Sequence, residues 1–236
     1  MSLSPETLAM FPLWYVAFLF SLTCHEAAHA LAAKWGGDPT AFHGGQVTLN
    51  PIPHIKRELF GTVIFPVITY ALSGWIMGWG SAPYDPLWQD RHPRRAAWMA
   101  MAGPAANLAL ALVAAGAIHA GILIGALRVP AAANFTHVVA ASHAGFAEGF
   151  ATFVSIVFSL NLLLMAFNLL PIPPLDGMTA AGIFLSDEAA LRFSRFAHNP
   201  TFMMVGMLIA WKLFDVIFNP LFTLGLNLLY PGAGFH

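Results

Sequence analysis

The chain has 236 residues, of which 58% are hydrophobic and only 9% charged, with a mean hydropathy of +0.69. Soluble domains carry about 25% charged residues, so this composition excludes an ordinary water-soluble fold and indicates an integral membrane protein. A net charge of −1 without a basic run gives no basis for nucleic-acid binding, and a single cysteine, Cys24, excludes an internal disulfide and any Cys-based zinc cluster.

A membrane-crossing helix needs roughly 20 mostly apolar residues. The first stretch that qualifies is Leu8 to Ala33, interrupted by His25, Glu26 and His29. It lacks the basic start of a signal peptide, the first positive side chain being Lys34, so Leu8 onward is expected in the mature structure. Gly36 to Glu58 is polar and turn-rich, and Gln46-Val47-Thr48-Leu49 within it alternates like a short strand. Leu59 to Gly80 is apolar but holds Gly61, Pro66, Gly74 and Gly78; Ser81 to Arg95 is charged. Ala96 to Leu127 and Phe146 to Leu170 are long apolar runs, and Thr201 to Tyr230 is a third that Pro220 is expected to break. Between the last two, an amphipathic piece runs from Asp187 to Arg195. The expected fold is an all-α polytopic membrane protein, a single domain over residues 1–236. It would have about four full spans, a re-entrant segment, a broken C-terminal helix and a small strand-like element after the first span.

His25-Glu26-Ala27-Ala28-His29 is an H-E-x-x-H sequence on the first predicted span. Residues four apart share a helix face, so both imidazoles can reach one zinc ion, and Glu26 beside them can take a proton from water at that metal. Ionisable groups inside an apolar span point to function. A catalytic zinc uses three protein ligands and keeps one position open. Asp176, in Leu175-Asp176-Gly177 just past an apolar span, is the expected third ligand. Glu148 lies at the far end of that span, and Asp215 has Lys212 three residues away, so both are weaker candidates. His54 and His43 follow the H-E-x-x-H helix and could approach the zinc region. Gly103-Pro104 with its alanines offers a small-residue packing face, and Asn107 could orient a loop near the site.

Three spaced signals carry a resemblance: His25 to His29, Gly103-Pro104-Ala105-Ala106-Asn107, and Asn168 through Leu175-Asp176-Gly177. Together they resemble the site-2 protease family of intramembrane zinc metalloproteases. Gly45 to Ile55 resembles its short prokaryotic branch, in which no PDZ or CBS module is expected. The resemblance implies one zinc per chain held by His25, His29 and Asp176, Glu26 as general base, and Asn168 as a group steadying the scissile carbonyl or its oxyanion. It implies a single-span membrane-protein substrate within the lipid. The strand-like Gln46 to Leu49 would hold that substrate unwound, with His54 and Asn107 as supporting residues. The stretch after His54, Ile55-Lys56-Arg57-Glu58, departs from the family pattern, where an Asp is expected.

Parity of the spans adds a constraint. His29 lies near the C-terminal end of its span and Asp176 just past the C-terminal end of its own, so those ends must share one membrane side, and the simplest way to meet this is for Leu59 to Gly80 to enter and leave on the same side. The basic residues then sort consistently: Lys34, Lys56, Arg57, Arg91, Arg94, Arg95, Arg192 and Arg195 share the zinc side and only Arg128 lies opposite. Positive loops mark the cytosol, so a multi-pass cell-membrane protein with its site in the cytosolic half is expected. A metal transporter would instead space its ligands through facing spans, whereas here they gather at one depth. A non-proteolytic client-binding homologue is disfavoured by the intact Glu26.

Overall fold

The computed structural model describes residues 4–197 and 199–235, without the side chains of Ala197 and Asp215. The pairing of Asp215 with Lys212 therefore lies outside the described residues. Four helices begin at a capping residue followed by proline. Ser4, Asn50, Asp85 and Asn199 each accept a hydrogen bond from a backbone N–H two or three residues on, while Pro5, Pro51, Pro86 and Pro200 occupy the first helical position. These caps start α1 (Pro5–Gly36), α3 (Pro51–Arg57), α5 (Pro86–Arg91) and α10 (Pro200–Leu229). The intervening helices are α2 (Thr40–His43), α4 (Phe65–Ser73, preceded by a π turn over Phe60–Ile64), α6 (Pro93–Leu123), α7 (Phe146–Asn168), α8 (Asp176–Ala180) and the amphipathic α9 (Asp187–Ala197).

Among the described residues α1, α6 and α7 are long and apolar enough to cross a membrane, and α10 makes a fourth if its two halves count as one span. Those halves meet at 48°, between Phe214 and Val216. The bend lies one turn before Pro220, where the ring opposes the carbonyl of residue 216, so the proline bends the helix rather than ending it. Polar and apolar side chains are inverted relative to a soluble bundle. Ser21, Asn107, Ser155 and Asn161 are fully enclosed, while Leu112, Val113 and Trp211 are each more than 60% exposed. Trp14, Phe18, Ile118, Ile156 and Phe158 fill the apolar centre.

Cross-contacts fix the helix directions. Met99 and Asn107 of α6 meet His29 and His25 of α1 in reverse order, so these helices are antiparallel. Asn161 meets Ser21 and Asp176 meets both histidines, so α7 runs parallel to α1. Gly206 of α10 abuts the Pro173 carbonyl, and Tyr230 at its other end donates to the Val138 carbonyl (3.1 Å), so α10 returns. At that far end β1 (Leu127–Arg128) and β2 (Ala140–Ala141) form an antiparallel pair, Leu127 opposite Ala141.

The segment between α1 and α6 doubles back. The helix over 60–73 is about 21 Å long at 1.5 Å per residue, too short to cross a core of about 30 Å. The chain turns at Gly74 in the left-handed region and returns without regular structure from Trp75 to Asp85. Trp79 N–H donates to the Gly61 carbonyl (3.1 Å), and Met77 N–H to Thr69 Oγ1 (3.0 Å). Where the arms touch, a Cβ on Gly61 would lie 2.5 Å from the Trp79 carbonyl, so side chains are excluded there. At the base, Ser81 Oγ donates to Glu58 Oε1 (2.6 Å) and accepts from Arg57 Nε (3.0 Å). Both ends of the segment therefore emerge together, which is the re-entrant geometry expected from span parity.

One expectation is corrected. Gln46 to Leu49 is a series of bends and not a strand. Thr48 Oγ1 accepts from Asn50 N–H, and the Thr48 carbonyl bonds the His54 ring (3.1 Å), so local side-chain bonds curl this backbone before it can extend. Gln46 is buried, and its Nε2 donates to the Ser81 carbonyl (3.1 Å).

Candidate metal centre and active site

Ser21, His25 and His29 lie four apart on α1 and share the face that α6 and α7 cover. His25, Glu26 and His29 are all buried. The loop after α7 brings in Asp176 as the first residue of α8. Its Oδ2 lies 3.1 Å from His25 Nε2 and 3.3 Å from His29 Nε2, and the two Nε2 atoms are 2.9 Å apart. These three atoms form the group suited to holding a metal among the described residues.

The surroundings decide what those atoms can do. His29 Nδ1 lies 2.7 Å from the Met99 carbonyl, which only accepts, so Nδ1 carries the hydrogen and, in the neutral ring that can bind a metal, Nε2 is bare. His25 Nδ1 lies 2.6 Å from Asn107 Oδ1 and donates to it. Among the described residues, Asp176 Oδ2 is buried without a hydrogen-bond donor. Three acceptors thus face one another at about 3 Å, an arrangement that repels unless a cation joins it. A proton would relieve one pair; a metal ion relieves all three. Ligand bonds of about 2.0–2.1 Å put tetrahedral neighbours roughly 3.3 Å apart, close to the spacing found, so these residues fit zinc.

Two close approaches shape the site. Gly103 of α6 faces the imidazoles: a Cβ there would lie 2.6 Å from His25 Nε2 and closer still to His29. On the other side the returning arm of the re-entrant segment packs on Glu26, with a Cβ on Gly80 2.8 Å from Glu26 Cγ. The small-residue face of α6 therefore does pack helices closely, and what it admits is the pair of histidine rings.

The remaining candidates divide. Asn107 orients His25 and not a loop, correcting that expectation. His54 is buried, and among the described residues neither its Nδ1 nor Gln46 Oε1 has a hydrogen-bond partner. Asn168 ends α7 and donates from Nδ2 to the Leu164 carbonyl (3.0 Å); no contact joins it to His25, His29 or Asp176 among the described residues. Val47 is half-buried, and Leu49 and His43 are exposed. Glu148 closes the opposite end of α7 on Gly145 N–H. Sequence reasoning missed Asn161, Gly80 and the Met99 carbonyl. Only Asn161, a lone amide inside an apolar span, carried a readable signal.

A buried His-His-Asp group with an adjacent glutamate suits a zinc hydrolase. The profile of peptidase family M50 matches residues 13–212. "Putative zinc metalloprotease YwhC" of Bacillus subtilis is 33% identical over 171 residues, 72% of this chain and 68% of that protein. "Putative zinc metalloprotease Rip2" of Mycolicibacterium smegmatis and that of Mycobacterium tuberculosis are each 33% identical over 179 residues, 76% of this chain and 60% of theirs. No solved structure matches. The chain belongs to peptidase family M50, the site-2 proteases, a family of zinc metalloproteases.

Proposed function

We propose that this protein is a zinc-dependent intramembrane endopeptidase that cuts the transmembrane segment of single-span membrane proteins, in regulated intramembrane proteolysis. The observation that supports this best is the convergence of His25, His29 and Asp176 beside Glu26 inside a bundle of apolar helices. When bound there, one zinc ion supplies a Lewis acid that makes water more acidic and polarises a carbonyl. Glu26 takes the proton of the attacking water and passes it to the leaving amine. Asn168 Nδ2 has a second hydrogen besides the one given to Leu164, and that hydrogen is offered to the peptide oxygen as charge develops on it.

A helical substrate must unwind before its carbonyl can be reached. The returning arm over 75–85 is the backbone that supports this, in place of Gln46 to Leu49. It touches Glu26 at Gly80, and among the described residues the Gly78 and Gly80 peptide groups make no hydrogen bond. An unwound stretch can pair with that arm, while His54 Nδ1 and Gln46 Oε1 are buried acceptors for its N–H groups. The eight basic residues at the site end support a site in the cytosolic half of a multi-pass cell-membrane protein.

The test is cleavage of a transmembrane reporter by the purified protein in vesicles, with zinc content measured alongside. Glu26→Gln should lower cleavage by about 10²–10⁴-fold, the usual worth of a general base, with zinc content unchanged. Loss of zinc in that variant would move Glu26 into the ligand set, and undiminished cleavage would remove it from the chemistry.

A further inference from the structure

Behind His25 runs a chain of buried polar side chains: His25 Nδ1 to Asn107 Oδ1 (2.6 Å), Asn107 Nδ2 to Asn161 Oδ1 (2.8 Å), and Asn161 Nδ2 to both Ser21 Oγ and the Val157 carbonyl (2.8 Å each). Ser21, Asn107 and Asn161 are at 0% exposure, so no water substitutes for a missing partner. We propose that Asn161, held by Val157 and Ser21, is a positioning residue that sets the tautomer of His25 through Asn107, and with it the affinity of the site for zinc. The inference rests on the metalloprotease reading and deepens it.

The direction of the chain is forced from its far end. The Val157 carbonyl only accepts, so the Asn161 NH2 must face it and Asn161 Oδ1 must face Asn107. That oxygen accepts, so the Asn107 NH2 must point to it and Asn107 Oδ1 to His25. His25 must then carry its hydrogen on Nδ1, which leaves Nε2 bare toward His29 and Asp176. Turning either amide over sets two acceptors face to face in a dry interior, at a cost that stops the flip. His29 reaches the same state in one step through the Met99 carbonyl. The two imidazoles are thus prepared alike, one by a main-chain carbonyl directly and one by a carbonyl relayed through two amides. Partners behind a ligating histidine commonly matter 10–100-fold for metal affinity.

The experiment measures zinc affinity of the purified full chain in detergent by chelator competition, with no substrate present. Asn161→Leu keeps size and shape but frees Asn107 to present its NH2 to His25, so affinity should fall by about 10–100-fold. A carboxylate at 107 accepts from either oxygen and has no wrong orientation. The double variant Asn107→Asp with Asn161→Leu should therefore recover most of that loss, although it touches the zinc with neither residue. Wild-type affinity in Asn161→Leu overturns the inference. So does a double variant no better than Asn161→Leu, because a defect of packing alone would not respond to acceptor chemistry at 107. A wild-type chain that binds no zinc would instead overturn the metalloprotease reading itself.

Discussion

Replacing Gly103 by alanine adds a single methyl group, and the structure says where it goes. The new Cβ would lie 2.6 Å from His25 Cε1 and Nε2 and nearer still to His29 Nε2, against an ordinary contact of at least 3.4 Å. The rings must retreat by close to 1 Å, or α6 must move away by as much. Metal sites tolerate ligand displacements of about 0.2 Å, so the site is expected to lose zinc affinity by at least the 10–100-fold that supporting residues command. Stability should fall by no more than about 2 kcal/mol. Overpacking costs about 1–3 kcal/mol, and alanine in a helix regains about 1 kcal/mol relative to glycine. Gly116 is the internal control, because it lies on the same helix with nothing within 4 Å of its virtual Cβ. Zinc competition and thermal unfolding of Gly103→Ala and Gly116→Ala separate the two effects. Gly116→Ala should bind zinc as the wild type does. Wild-type affinity in a folded Gly103→Ala protein would refute the reasoning that α6 sets the position of the rings.

Asp176→Asn should retain the fold and weaken zinc binding, since a neutral amide is a poorer ligand than a carboxylate; unaltered affinity by chelator competition would mean that the third ligand lies elsewhere. In a Cys24→Ala background, single cysteines at the exposed Lys56 and Leu87 should react with an impermeant thiol reagent from one side of the membrane, and a cysteine at Ala132 from the other. Labelling of positions 56 and 87 from opposite sides would refute the re-entrant segment.

Much of this architecture was legible because a bilayer asks for long apolar runs, and those are plain between Leu8 and Ala33, Ala96 and Leu127, and Phe146 and Leu170. The re-entrant segment was legible indirectly. Its glycines permitted a turn, but the requirement came from His29 and Asp176 sharing one end. Short elements escaped. The two-residue strands at Leu127 and Ala140 leave no period to read, and Gln46 to Leu49 mimicked a strand because turn residues happened to alternate. Asn107 was expected to orient a loop and not His25, because sequence alone does not tell which face of α6 meets α1. Asn161 shows the limit from the other side: its position inside an apolar span signalled a buried role, but its partners come from residues 140 and 54 positions away.

The site depends on two ladders of the same pitch. Ser21, His25 and His29 climb α1 in steps of four, and Met99, Gly103 and Asn107 climb α6 in steps of four. Antiparallel packing lays the second against the first in reverse, so Met99 meets His29, Gly103 admits both rings and Asn107 meets His25. Equal steps let all three contacts form at once, because residues four apart stay on one face of each helix. They also make the register all-or-none. Turning α6 by one residue moves every rung by about 100°, drives side chains from Pro104 or Ala102 toward the histidines and strands the buried amides of Asn107 and Asn161. Each buried polar group left without a partner costs about 1–3 kcal/mol, so several lost together amount to much of the stability of a typical domain. In a bilayer, where lipid tails compete with apolar packing and burial alone selects no register, this polar ladder supplies the selection. The residues that hold His25 and His29 in place are therefore also residues that align α1, α6 and α7.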